Sequence, residues 1–237
     1  MDRTDVLELS TEVAALAEQV AGGDSESSLQ RLVELAVKSV GACRYAGISG
    51  LRGKQAVLLA ASDPVVSQLA TLQNDLGDGP GLAAMRHEEN IVVQDLLAES
   101  RWPRFGTEAV RAGVCNLIAY RLPGHRPSVL MMYGSEANGF SAEALDDATL
   151  FATQAATLVA LLSAREHAAN LEIALQSSRE IGMALGILMA HHKVTGDGAF
   201  DLLRGASQNL HRKLREVAVE VMETGVLPEL PSRPDAD

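Results

Sequence analysis

Between Leu202 and Arg215 the chain carries Arg204, Arg212, Lys213 and Arg215 and not one acid. On a protein of net charge −11 such a run is a local positive footprint, the sign that phosphate backbones attract. Ser207, Gln208 and Asn209 stand inside it. Ser and Asn are good N-cap types, so the spacing predicts a break there, with one helix ending near Gly205 and the next running to about 222. A helix start presents free backbone N–H groups, and flanked by Arg204, Gln208, Arg212 and Lys213 it is a phosphate site. Gln208 and Asn209 both donate and accept, so they can read base edges in an unpaired loop. Leu210, Leu214, Val217 and Val221 fall in one arc and face a core, which leaves His211, Arg212 and Arg215 pointing away from it. The plainer reading of the same residues is a solvated basic face.

Upstream, Ser178, Gly182, Gly186 and Ala190 recur every four residues, one row of small side chains on a helix, with Arg179 beside it. Two interior glycines cost a helix roughly 1 kcal/mol each relative to alanine, so the row calls for a reason. Close packing of another helix is the first reading and approach of a nucleic-acid backbone the second. Ile181, Ala184, Leu185 and Leu188 form the neighbouring apolar face. Phe200, at helical spacing from Leu203 and next to Ala199, reads as core before it reads as a stacking platform.

Nothing in the chain suggests covalent or acid–base chemistry. No nucleophile–base pair and no carboxylate pair stands out, so no residue is assigned a catalytic role. Gly77-Asp78-Gly79-Pro80-Gly81 is glycine-rich but lacks the lysine of a phosphate-cradling loop. Cys43 and Cys115 have no partner at metal spacing, and they read as reduced, buried thiols. His191 and His192 are adjacent and cannot face one metal from a helix. No metal site is expected.

The elements that must position the basic stretch follow from periodicity. Val6, Leu9, Val13, Leu16 and Val20 make a one-sided helix with a seam suited to a partner helix, ended by Gly22-Gly23-Asp24. A second helix runs from Ser28 towards Gly41. Tyr45–Leu51 and Gln55–Ala60, split by Arg52-Gly53-Lys54, form a hairpin. Asp63-Pro64 opens a helix. Strands follow at Ile91–Val93, Asn116–Tyr120 and Val129–Tyr133, and then a helix runs unbroken from about Glu143 to His192. Leu158, Leu161, Arg165, Ala168, Glu172, Leu175, Ser178 and Leu185 lie near heptad spacing along it. No apolar uncharged run reaches the roughly 18 residues of a membrane span, and residues 151–164 come nearest. Helices bracketing runs of strands indicate an α+β sandwich with a helical C-terminus.

The strings S-S-R-E-I-G-M-A-L-G-I-L-M-A-H-H-K (177–193), D-G-A-F-D-L-L-R-G-A-S-Q-N-L-H-R-K-L-R-E-V-A (197–218) and T-G-V-L-P (224–228) resemble the ANTAR domain, a three-helix RNA-binding module of bacterial antiterminators. G-D-G-P-G-L-A-A (77–84), I-V-V-Q-D-L (91–96), R-W-P-R-F (101–105), G-V-C-N-L-I-A-Y-R-L (113–122) and G-F-S-A-E-A-L-D-D-A (139–148) together resemble a GAF domain. The combination is similar to actinobacterial GAF–ANTAR regulators. The resemblance implies a GAF-type α/β sandwich with an antiparallel sheet, a long connecting helix and a C-terminal three-helix domain. The corresponding boundaries are an N-terminal helix over 1–24, a GAF domain over 25–163, linker helix and ANTAR domain over 164–228, and a disordered tail over 229–237.

It also implies a function: a cytoplasmic homodimer, paired through the N-terminal and linker helices, that binds tandem stem-loops in nascent leader RNA and blocks a terminator. RNA contacts then fall to Arg179, Arg204, Ser207, Gln208, Asn209, Arg212, Lys213 and Arg215, with Gly182, Gly186, Ala199 and Phe200 as close-approach or packing positions. One departure stands out: the family's A-K-G string is Ala184-Leu185-Gly186 here, without its basic residue. No cofactor is expected, although a GAF ligand of unknown identity stays open, as does a role as dimer scaffold. The rival readings are helix-turn-helix-like DNA binding and docking of an acidic protein partner.

Overall fold

The computed structural model describes residues 3–21, 25–87, 89–124 and 126–228. The expected glycine stop at 22–24 and the tail over 229–237 lie outside them. The chain divides into two compact units, residues 1–166 and 167–237.

In the first unit, helices α1 (Arg3–Ala21) and α2 (Ser25–Ser39) precede strands β1 (Tyr45–Arg52) and β2 (Gln55–Ala61). Helices α3 (Pro64–Leu76) and α4 (Pro80–His87), strand β3 (Ile91–Val93) and helix α5 (Pro103–Arg111) follow. Strands β4 (Asn116–Leu122) and β5 (Ser128–Gly134) lead into α6 (Ala142–His192), which runs on into the second unit. The five strands form one antiparallel sheet in the order β2-β1-β5-β4-β3.

Both faces of the sheet are covered, so β5 is buried at every position rather than alternating. On one face Ile48, Ile118, Leu130 and Met132 meet α1, α2 and the start of α6 through Leu16, Leu32, Val33, Phe151 and Leu158. On the other, Leu117, Val129, Met131 and Tyr133 meet α3, α4 and α5 through Leu69, Leu82, Met85 and Phe105. The hairpin turns through Gly53 at φ +63°, the left-handed conformation that glycine adopts without strain. Asp63 caps α3 by accepting the Val65 N–H at 2.9 Å, with Pro64 opening the helix.

One sequence expectation changes here. The seam of α1 is not left for a partner: Leu9, Val13 and Leu16 are buried in this unit's own core. Helix α6 is long and apolar enough, by length and composition, to cross a membrane, the one such helix among the described residues. Its apolar character has a local cause, because Phe151, Ala155 and Leu158 bury against the sheet.

The second unit holds the remainder of α6 with α7 (Gly196–Leu210) and α8 (Leu214–Thr224). Its core is small and wholly aliphatic: Ala184 and Leu188 from α6, Ala199 and Leu203 from α7, and Val217, Ala218 and Val221 from α8, all fully buried. Thr195 caps α7 by accepting the Gly198 N–H, and Gly225, at φ +78°, closes α8.

Candidate nucleic-acid interface

The basic stretch is assembled differently from the sequence expectation. No helix begins at Ser207–Asn209. Those residues form the last turn of α7, which continues to Leu210, and the break falls at His211–Lys213. His211 takes a left-handed conformation, φ 53°, as the C-cap. The His211 N–H donates to the Gln208 carbonyl at 3.2 Å and the Arg212 N–H to the Ser207 carbonyl at 3.1 Å. Ser207 Oγ then donates to the Arg212 carbonyl at 2.6 Å. Ser207 therefore closes a helix rather than opening one, and the expected anion site at a helix start around 207–209 is withdrawn. The start of α8 is at Lys213, whose side chain makes no cap bond.

The arginines are held by carboxylates. Arg204 pairs with Asp201 at 2.6 Å, one helical turn away. Arg212 reaches Glu220 at 2.5 Å and Glu216 at 4.0 Å. Arg215 is gripped from across the unit, Nε donating to Glu180 Oε2 at 2.5 Å and a second guanidinium nitrogen to Oε1 at 3.2 Å. The Gln176 amide also donates to Glu180. Arg215, and then Gln176, hold the Glu180 carboxyl below its ordinary value, and Glu180 in turn raises Arg215. Arg179, Lys193 and Lys213 are exposed, and no ion pair engages them among the described residues. Arg179 and Arg215 share an open cleft with Ile173, Leu175 and Gln176. Gln208 and Asn209 are exposed on the last turn of α7.

Three further residues depart from expectation. Gly182 and Gly186 do not serve close packing among the described residues: a Cβ at either would meet none of them within 4 Å. Phe200 is not core. It is 37% exposed, while its neighbours Ala199 and Leu203 take the buried positions, and the Arg204 guanidinium lies 5.8 Å from its ring centre. Leu185, where the resembled family carries lysine, is half-buried against the aliphatic core, so an apolar contact replaces a surface charge.

The carboxylate partners were absent from the sequence reading. Asp201–Arg204 and Arg212–Glu216 have the three- and four-residue spacings that bring helical side chains together, so they were legible. Glu180 and Arg215 stand 35 residues apart, and only the tertiary fold joins them.

In the first unit, the Gly79 and Gly81 amides of the Gly77–Gly81 string are committed to nearby side chains. Gly79 N–H donates to Asp78, Gly81 N–H to Gln73 Oε1 at 2.7 Å, and Leu82 N–H to the same oxygen at 3.4 Å. Trp102 Nε1 donates to Asp78 at 3.2 Å, tying the loop to α5. Behind it, Gln73, Met85, Met131 and Tyr133 fill the space between sheet and helices, leaving a cavity of about 10 Å³, about one water. Among the described residues no group of three His, Cys, Asp or Glu side chains is placed to hold a metal ion.

Residues 169–222 match the family model of the ANTAR domain. No curated protein matches the chain. Among solved structures, the GAF domain of an Acinetobacter phosphoenolpyruvate-protein phosphotransferase is similar at 17% identity and a TM-score of 0.48, covering 71% of this chain and 97% of that one. A free methionine-R-sulfoxide reductase from Neisseria meningitidis is similar at 14% and 0.46, covering 73% and 95%. A GAF domain from A. aeolicus is similar at 12% and 0.47, covering 68% and 96%. Likeness at this level carries no residue's role and no ligand over to this chain.

Proposed function

From the C-terminal ANTAR domain that the chain carries over residues 169–222, we propose an RNA-binding regulator of transcription antitermination. The observation that carries this reading is the coincidence of that match with a three-helix unit whose exposed cations, Arg179, Lys193 and Lys213, have no carboxylate partner among the described residues. Cations free of internal partners can bind phosphate without first breaking an ion pair. Arg204, Arg212 and Arg215 contribute charge already positioned by Asp201, Glu220 and Glu180, and Gln208 and Asn209 supply amides that match base edges.

The finer reading is that the ligand is a pair of stem-loops in a nascent leader RNA, bound by two copies of the chain. Pairing of copies is supported by the exposed stripe of Leu171, Leu175, Ser178, Gly182 and Gly186 on α6. Leucines left 51% and 71% exposed, followed by interior glycines that nothing among the described residues approaches, suit a second helix. The N-terminal unit, GAF-like in its motifs and layers, is then a signal-responsive or scaffolding partner to this module, and the protein acts in the cytoplasm. In domain terms the reading keeps a helix over 1–24, a GAF-like body over 25–163 and the linker and RNA-binding module over 164–228.

A titration of the protein against a two-hairpin RNA, a single hairpin and duplex DNA, at two salt concentrations, tests the reading. Tight, salt-sensitive binding that prefers the paired hairpins is expected. Equal binding to random duplex DNA overturns it in favour of the helix-turn-helix reading, for which the three-residue break between α7 and α8 is the supporting feature.

A further inference from the structure

The chain has four phenylalanines. Phe105, Phe140 and Phe151 are at most 2% exposed, while Phe200 is 37% exposed on α7. The fold has no use for an aromatic there, because the core positions of that helix belong to Ala199 and Leu203. An exposed ring gives up the transfer free energy that burial would supply. What surrounds it is equally specific. Arg204, one turn on, places its guanidinium carbon 5.8 Å from the ring centre, within cation–π range. Asp201 holds that guanidinium through a hydrogen bond of 2.6 Å. Gln208, a further turn on, is exposed, and beside the row a Cβ at Gly205 would meet nothing within 4 Å. Ring, planar cation and amide thus stand at spacings of four residues, about 6 Å apart along the helix axis, with open surface alongside.

We infer that Phe200 and Arg204 form a stacking platform for an unpaired base of the bound RNA, with Gln208 beside it to read a base edge. This rests on the RNA-binding reading and deepens it: phosphates are met by the unpaired lysines and Arg179, whereas the loop bases are met on α7. Every base has a π-face, so the aromatic ring supplies affinity. The amide, which can donate and accept, supplies the preference.

The test uses the full chain, a two-hairpin RNA, and the same RNA with abasic loop nucleotides, so that the phosphates stay and the bases go. Phe200→Ala is expected to weaken binding to the intact RNA roughly 5- to 100-fold, the range seen for loss of one base–aromatic stack, with the salt slope unchanged. On the abasic RNA the same substitution should change affinity by less than about twofold, since no base remains to stack. Phe200→Leu, which keeps an apolar side chain and loses the π-face, should behave as Phe200→Ala does. Phe200→Trp should keep binding and add fluorescence, over that of the native Trp102, which the intact RNA quenches. If the wild-type protein binds the RNA and Phe200→Ala binds equally well, or loses equally on both RNAs, the platform is wrong and the RNA reading stands. If the wild-type protein prefers no hairpin RNA over duplex DNA, both fall together.

Discussion

Glu180 and Arg215 join the first and last helices of the C-terminal unit through two hydrogen bonds, at 2.5 and 3.2 Å, from one guanidinium to one carboxylate. The bidentate pair fixes the roll of α8 on α6, and with it the direction in which Arg212 and Lys213 project. Because Arg215, with help from Gln176, holds the Glu180 carboxyl below its ordinary value, the sign of the pH effect is set. The pair's contribution is complete above the unfolded pKa of a glutamate and is lost as pH falls through the lower folded value. Glu180→Gln should lower the melting temperature at pH 7, and the difference from wild type should close as the pH falls through the lowered folded value. Thermal melts of both proteins between pH 3 and pH 7 check this. A difference that does not depend on pH means that Glu180 acts by packing alone.

Gly182 and Gly186 separate what the chain needs from what its partners need. Among the described residues nothing lies within 4 Å of a Cβ built at either position. Alanine should therefore stabilise α6 by about 1 kcal/mol at each site through helix propensity alone. If the small-residue face is where a second copy seats, the same substitution should weaken self-association. The expected outcome for Gly182→Ala is a higher melting temperature with a larger dimer dissociation constant by analytical ultracentrifugation. A rise in stability with self-association unchanged would mean that the face is free surface.

Much of the first unit was legible in the sequence because its signals are local. Asp63-Pro64 is a cap and a helix start in adjacent residues, and both function so. Apolar runs and turn residues placed all five strands to within two residues at either end. The C-terminal surface was less legible, for two physical reasons. A helix stop is usually written with glycine, yet α7 passes through Gly205 and stops at His211, a non-glycine residue in the left-handed region. Ser207, read as an opening cap, instead bonds forward to the Arg212 carbonyl and closes the turn. Helical spacing also cannot assign a face by itself: Phe200 and Leu203 are three apart, and only the packing of α8 decides which is covered.

That aliphatic core is small enough for one residue to matter. Leu203 is fully buried among Ala184, Leu188, Val217 and Val221. Leu203→Ala should cost the unit about 2–5 kcal/mol, the usual penalty for emptying a leucine site. It should abolish RNA binding while leaving the N-terminal unit folded. Hydrogen exchange should show lost protection confined to residues after 167, and uniform loss across the chain would contradict the two-unit division.

Cys43 reports on the first unit in the same manner. Burial pushes its thiol up to about 12, against weaker opposing hydrogen bonds to the Tyr133 and Tyr45 backbone. A thiol whose folded pKa lies above its unfolded value favours the native state below the unfolded value, and that advantage is lost as pH rises towards the folded one. Stability should therefore decline between about pH 9 and pH 12, and a Cys43→Ala variant should decline less steeply over that range.

The balance of charge on the C-terminal unit gives the sharpest contrast between residues of one sign. Lys213 is exposed and has no carboxylate partner among the described residues, so Lys213→Ala should leave the fold intact. It should weaken RNA binding equally across sequences and reduce the salt slope by about one. Arg204 is tied to Asp201, and that carboxylate sets a negative charge beside the surface where RNA approaches. Removing that charge should help: Asp201→Asn is expected to raise RNA affinity several-fold at low salt, with the gain shrinking as salt screens the charge. Arg212→Ala differs from both, because it strands Glu220 and Glu216 as well as removing a cation. Its loss of affinity should come with a lower melting temperature, and restoring the charge balance with Glu220→Gln should recover the stability without recovering the binding. Filter binding against salt, run beside thermal melts for the same four variants, tests all three statements. If Asp201→Asn binds no tighter than wild type at low salt, the Asp201 carboxylate does not oppose RNA binding.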